Sequence, residues 1–490
     1  MKFSEKILSN SKEFPLRAII SDSANLLNWG HLVDNSKLMS QQITTIYENS
    51  SVVPIFVSRS VRTVEIIVAT LLAGKTFCPI SPNQPKSRIV KALSNLNQFK
   101  VLQSSNSNGS LEIHTYREES FSSKQLPDEG AMYILHTSGS TGHPKGVQIS
   151  EEGITNTLTW AKNQGLLHNN CKIGIATQFY FDISIFDLLA GLYFNIPMHI
   201  FSDATDANRT LDEISEHKVN SIFATPTFFS QFVKWNLLED QRLTPLTKII
   251  SGGDFFPTTH ILAWIEKRPK LEIYNVWGPT ETSVVNSAYK VKKEDIEKLR
   301  AGNQVSIGRS TPQMNIEVMD EMMKTVILGE NGELVVFGSS VGIGYINATK
   351  EQDSRFIEIN ERRGFRTSDN GFFDLDGYLY INGRSEFLIK RSGNRIDPRE
   401  VEASAEKFPS VHRSCLIFVE ETDQLVLYVE LSNSGEFDSK KHSIKNHLRQ
   451  ELPSYMVPSR LITINEIPLN SNGKIDRRKV FETFRNSDDR

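Results

Sequence analysis

A chain of 490 residues with 39% hydrophobic and 23% charged residues has the composition of an ordinary globular protein and the length for more than one domain. Its net charge of −3 leaves no basic field of the kind nucleic-acid binding needs. Its longest largely apolar run, Ile66 to Ala73, is far short of the roughly 20 residues of a bilayer span. The three cysteines, Cys78, Cys171 and Cys415, are far apart and in no C-x-x-C spacing, which argues against a disulfide framework or a zinc site and for a reducing, cytoplasmic setting. Met1 to Glu13 alternates charge with single apolar residues and lacks the apolar segment of a signal peptide.

In chain order, a strand-like Val53 to Val57 leads to a helical pattern from Val64 to Ala73, closed by Gly74, and then to a strand from Thr76 to Ile80. That β-α-β rhythm argues for an α/β sheet. Further short strands are expected at 172–177, 221–224, 248–250 and 271–275, with a helix at 210–217. Ser104 to Ser110 reads as a polar surface loop. After Val305 the texture turns to β, with alternation at 315–319, 332–337 and 377–381 broken by Gly, Asn and Asp. The tail predicts a helix at 398–408, strands near 414–419 and 424–431, and a helix at 439–451. The fold class is therefore α/β: a large domain of packed α/β sheets plus a β-barrel-like part over 1–384, and a small α+β domain over 385–490.

The stretch richest in chemistry is Tyr133 to Ser150, two strand-like runs around a loop of glycine, hydroxyl and one lysine. Gly139, Gly142 and Gly146 can take positive φ and bring backbone N–H groups close to an anion. Thr137, Ser138, Ser140 and Thr141 add hydroxyl donors, and Lys145 adds a mobile positive charge. The spacing is not G-x-x-x-x-G-K-[ST], and a strand follows the loop, so this is no strand–loop–helix nucleotide loop. It reads as a phosphate cradle, although Gly/Ser/Thr-rich hairpins are often plain polar connections.

Beside that loop stand Leu71-Leu-Ala-Gly74, Phe181-Asp-Ile-Ser184, Asn275-Val-Trp-Gly-Pro-Thr-Glu281, Phe365-Arg-Thr-Ser-Asp369, Gly383-Arg384, Ser392-Gly-Asn-Arg395, Leu452-Pro-Ser-Tyr-Met-Val-Pro458 and Asn472-Gly-Lys-Ile-Asp476. In this order they resemble the adenylate-forming superfamily. Within it they resemble the amino-acid adenylation enzymes, namely stand-alone D-alanine–carrier protein ligases and the adenylation domains of nonribosomal peptide synthetases. The resemblance implies a two-step reaction: an amino-acid carboxylate attacks the α-phosphate of ATP, releasing pyrophosphate, and a thiol then takes the acyl group. It implies that Lys145 and the cradle hydroxyls hold the β- and γ-phosphates, that Glu281 holds Mg²⁺, that Trp277 stacks on adenine and that Asp369 accepts the ribose hydroxyls. It further implies that Arg384 reaches the ribose and phosphate region, and that Asp254, Asn275, Val276, Gly278, Thr280 and Tyr380 belong to the nucleotide site. Lys474 matches the C-terminal lysine that bridges carboxylate and phosphate as the adenylate forms.

Two positions depart from the pattern: Ser368 replaces the usual glycine, and Glu386 replaces the aspartate hinge about which the small domain turns to bring Arg391 to Asn394 into the site in place of Lys474. Ser251-Gly-Gly-Asp-Phe255 imitates a phosphopantetheine attachment motif, but Phe255 stands where the modified serine would be. With no carrier serine after Lys474 and no H-H-x-x-x-D-G motif, the acceptor is expected to be a separate phosphopantetheinylated carrier protein. Lys440 to Arg490 carries eleven Lys/Arg against six Asp/Glu, which suits an acidic carrier as well as a plain solvated face.

Asp182 separates the reading from an acyl- or aryl-CoA ligase, which has no ammonium to bind; Ser184-Ile-Phe-Asp187 has capping-box spacing and would leave Asp182 outside the cap. A catalytically silent nucleotide-binding relative is a further alternative, against which the intact set Lys145, Glu281, Asp369, Arg384 and Lys474 argues. The family's pocket positions fall on Phe186, Phe223, Ile250, Gly252, Val276, Val284 and Val285, none of them charged, with Gly252 expected to give back some of the volume the phenylalanines take. A small or medium neutral amino acid is the expected substrate.

Overall fold

The computed structural model describes residues 1–84, 86–105, 110–116, 130–137, 145–346, 353–384, 389–391, 394–396, 398–419, 422, 424–432, 437–452, 456–470 and 473–488. Ser138, Gly139, Ser140, Thr141, Gly142 and the hinge residue Glu386 lie outside the described residues.

Two large sheets hold most of the candidate site residues. One orders its strands Ser287–Lys290, Glu272–Trp277, Lys248–Ser251, Ser221–Ala224, Ile173–Ile175, Met198–Ile200, Ala18–Ser21 and Leu26–Asn28. The other runs Gly344–Ile346, Lys145–Ser150, Ala131–Thr137, Thr76–Ile80, Val52–Phe56, Lys100–Ser104 and Leu111–Thr115. Their inner strands are parallel, and antiparallel strands close the edges. Val52–Phe56 and Thr76–Ile80 are buried at every position, as parallel strands covered on both faces must be. Between them runs the helix Val61–Leu72, started by the Ser60 hydroxyl accepting from the Arg62 N–H and followed by Gly74 at φ +68°.

A third, antiparallel sheet joins Asn315–Met319, Gly332–Phe337, Arg362–Phe373 and Phe356–Ile359, with Leu379–Arg384 paired to Arg362–Phe373. The C-terminal part holds the hairpin Ile389–Arg391/Asn394–Ile396 and a sheet of Val411–Val419, Gln424–Leu431 and Arg460–Thr463, covered by Pro398–Glu406 and Phe437–Glu451. Ile389 and Ile396 already belong to its own apolar core.

Most expected elements form close to their expected bounds. The exception that matters is the capping box: the helix runs Asp182–Phe194, so Ser184 lies inside its first turn, where its hydroxyl donates to the carbonyls of Gln178 and Phe181. Ser184 is not the cap, Asp182 is the first helical residue, and its carboxylate sits at the positive end of the helix dipole. Among the described residues no helix is long and apolar enough to cross a membrane. Cys78, Cys171 and Cys415 are buried free thiols.

Candidate active site

The site forms beyond the carboxyl ends of Ser221–Ala224, Lys248–Ser251 and Glu272–Trp277, where parallel strands release their loops toward a ligand. Gly278 turns the chain there, and only glycine fits: a Cβ would stand 2.5 Å from the Val284 carbonyl oxygen. The chain then passes Pro279 into the short turn Thr280–Thr282, which carries Glu281.

Lys145 opens its strand opposite Thr137 across the hairpin. Its ammonium lies 5.3 Å from the centroid of the Tyr345 ring, and the Tyr345 hydroxyl donates to Glu281 Oε1 at 2.6 Å. The Gly342 N–H donates to the Glu281 carbonyl at 2.7 Å, holding the turn against the second sheet. Burial and the neighbouring Glu281 carboxylate push the Tyr345 hydroxyl well above its ordinary pKa, so it stays a donor. Lys145 and Glu281 are thus assembled around Tyr345, a residue the sequence reading missed. Its strand, Gly344–Ile346, meets Lys145–Ser150 from about two hundred positions away, and nothing local announces the pairing.

The Trp277 indole N–H donates to Asp369 Oδ2 at 2.9 Å, so the expected adenine and ribose residues touch. Asp369 pairs in register with Arg384, whose side chain lies outside what is described. Asn275 donates to the Ser306 carbonyl at 3.0 Å behind them. Tyr380 lies farther along the same strand pair, stacked on Phe372 at 5.5 Å, with Asp374 and Asp295 among its electrostatic neighbours.

Ser368 has φ +61°, the left-handed region that glycine enters freely. Its N–H donates to Glu333 Oε1 at 2.9 Å, and its hydroxyl accepts from Arg355. An L-residue in that region costs about 1–2 kcal/mol, which these bonds offset. Ser368→Gly is expected to keep folding stability within about 1 kcal/mol, since relief of strain offsets the lost hydroxyl and the added chain entropy. Ser368→Val, β-branched, is expected to cost about 2 kcal/mol or more in urea denaturation.

Asp182 is half-buried, accepts from the Thr280 hydroxyl and receives the Ile183 N–H at 2.8 Å. Burial raises its carboxyl above the usual range, while the Thr280 hydroxyl and the positive charge of Lys474 pull the other way. The C-terminal lysine has therefore been brought to the acid from nearly three hundred residues away. The turn that carries it is tight: Gly473 takes φ +73°, the Asn470 N–H donates to the Lys474 carbonyl at 2.7 Å, and the Lys474 N–H donates to Asn470 Oδ1 at 3.1 Å.

Phe186, Phe223, Ile250, Val276, Val284 and Val285 are all buried in the apolar core of the large domain, Phe186 one helical turn after Asp182, and the Phe186 and Phe223 rings meet edge to face at 5.5 Å. Gly252 does not give volume back as expected: a Cβ there would stand 2.7 Å from Val276 Cγ2 and 3.3 Å from the Phe223 ring, which already occupy the space. Val284 has φ +82° with the Val285 N–H bonded to the Ser283 carbonyl at 3.1 Å, a strained γ-turn for a β-branched residue. Asp254 meets Arg399 of the C-terminal part, Oδ1 to Nη2 3.5 Å.

Among the described residues no three His, Cys, Asp or Glu side chains cluster as a metal cage. Magnesium that arrives on a triphosphate takes one or two carboxylates from the protein, and Glu281, across the Tyr345 ring from Lys145, fits that share.

The family model described as AMP-binding enzyme matches residues 9–346, and that described as AMP-binding enzyme C-terminal domain matches 400–474. The chain is 26% identical over 503 residues to the D-alanine–D-alanyl carrier protein ligase of Bacillus licheniformis, covering 98% of this chain and 99% of that one. It is 30% identical over 440 residues to one of the mycosubtilin synthase proteins of Bacillus subtilis, covering 85% of this chain but only 16% of that protein. Klebsiella oxytoca NpsA in complex with 3-hydroxyanthranilyl-AMSN superposes with a TM-score of 0.83 at 20% identity over 99% of both chains. The o-succinylbenzoate CoA synthetase of Bacillus subtilis does so with 0.80 at 19% identity over 97% of both. The chain belongs to the AMP-binding enzyme family, as an ATP-using, adenylate-forming enzyme related to D-alanyl carrier protein ligases and to the adenylation domains of nonribosomal peptide synthetases.

Proposed function

We propose that the enzyme activates a small or medium neutral amino acid as its aminoacyl adenylate and transfers it to the phosphopantetheine thiol of a separate carrier protein. The observation that carries this reading is Asp182, an acid one helical turn before Phe186 that is bonded to Thr280 and lies within the field of Lys474. An ammonium satisfies that acid, and a charged or strongly polar side chain would find no partner among Phe186, Phe223, Ile250, Val276, Val284 and Val285. The near full-length match to a D-alanyl carrier protein ligase supports the same substrate class and the same acceptor.

In this reading Trp277 and Asp369 hold adenosine, while Lys145, the 137–142 hydroxyls and Glu281 with Mg²⁺ hold the β- and γ-phosphates. Arg384 and Asn275 border the ribose, and Lys474 spans carboxylate and α-phosphate. The carboxylate oxygen attacks the α-phosphorus, pyrophosphate leaves, and Lys474 offsets the charge that gathers between them. Bound magnesium neutralises phosphate charge. Residues 1–384 then serve as the platform and 385–490 as the part that moves between half-reactions.

ATP–pyrophosphate exchange over both enantiomers of the amino acids tests the reading. Exchange with aliphatic or small neutral amino acids is expected, with leaky discrimination among neighbours because one methylene is worth only about 1–3 kcal/mol. Selective exchange with lysine, glutamate or a fatty acid would sink it. Faster loading of free coenzyme A than of a phosphopantetheinylated carrier would move the enzyme to the CoA ligases.

A further inference from the structure

The Lys474 turn is held from the large domain as well as from its own. Thr227, in the first turn of the helix Pro226–Lys234, donates its hydroxyl to the Gly473 carbonyl at 2.9 Å, one residue before the lysine. Gly473 lies so close that a Cβ there would stand 3.3 Å from the Thr225 hydroxyl oxygen. Across the same junction Asp254, on the loop after Lys248–Ser251, faces Arg399 on the helix Pro398–Glu406 at 3.5 Å, and its charge reaches Arg477, three residues past the lysine. Arg477 in turn forks onto Glu402 of that helix, with Nη2 to Oε2 2.7 Å, which ties the segment after the lysine turn to the Arg399 helix.

Resting on the adenylation reading, we propose that Thr227 and Asp254 are positioning residues: a two-point latch, hydroxyl to Gly473 and carboxylate to Arg399, that seats Lys474 for the first half-reaction and must open before the second. Neither contact is made to the lysine side chain itself. Both act by holding a lysine that sits on a separate, swinging element, and a displacement of about 1 Å of such a group costs on the order of a hundredfold in rate. Asp254, which the family resemblance assigns to the nucleotide, is assigned by this proposal to the latch.

The test compares the half-reactions in the full chain. Thr227→Val removes the hydroxyl at nearly constant volume. It is expected to lower ATP–pyrophosphate exchange about ten- to a hundredfold, to leave transfer from a presynthesised aminoacyl adenylate unchanged, and to be rescued by Thr227→Ser. Asp254→Arg is expected to show the same split and to be rescued by adding Arg399→Asp, with the KM for ATP unmoved. Equal loss of both half-reactions, intact exchange in Thr227→Val, or a raised KM for ATP in Asp254→Arg without rescue by Arg399→Asp would overturn the latch. Absence of exchange from the unaltered protein with every carboxylic acid would overturn the adenylation reading and the latch with it.

Discussion

Lys474→Ala should lower adenylate formation by about 10²–10³-fold, the scale of losing one preorganised donor to developing negative charge, while transfer from a presynthesised adenylate survives. The lysine stands in the field of Asp182, on a turn fixed by Asn470, Gly473 and Thr227, and on the proposed reading that turn delivers its charge to the place where carboxylate and phosphate would meet. In water a mobile ammonium would have to be reorganised around each new charge; here the turn has done so in advance. Rapid-quench measurement of adenylate and of thioester, made separately, resolves the two steps. A parallel fall in both would mean that Lys474 holds the fold together rather than the transition state.

Asp182→Asn should lower amino-acid activation, with kcat/KM falling about a hundredfold, because the substrate ammonium would be desolvated against a neutral amide. The change keeps shape and the Thr280 contact, so the loss reports charge. Burial raises the Asp182 carboxyl above the ordinary carboxylate range. An acid with a raised pKa is protonated over a window that reaches above the usual carboxylate titration, and only its ionised form binds an ammonium. The KM for the amino acid is therefore expected to climb as pH falls through that raised value, earlier than a free carboxylate would dictate, and to be flat over the same window in Asp182→Asn. A pH profile of exchange that is identical in both proteins would remove Asp182 from substrate recognition.

The α/β class, the shift to β texture after Val305 and the order of the motifs were legible because they are local. Alternation, helical period and the residue types of a loop are written within ten or twenty positions, and they placed Ser221–Ala224, Asn315–Met319, Gly332–Phe337 and Gln424–Leu431 at their observed bounds. The sequence also named Lys145, Asp182, Glu281, Asp369 and Lys474. Tertiary structure decided what each of these touches. Tyr345 reaches Glu281 and Lys145 only because an edge strand returns to the hairpin, and Asp369 receives the Trp277 N–H across 92 positions. The start of the helix at Asp182 rather than after Ser184 followed from the hydroxyl of Ser184 bonding back to Gln178, a choice that capping-box spacing alone does not contain. Gly252 showed the same limit. Composition makes it a gap, but the neighbours that fill it, Val276 and Phe223, arrive on other strands, and close packing leaves no volume that a single position can own.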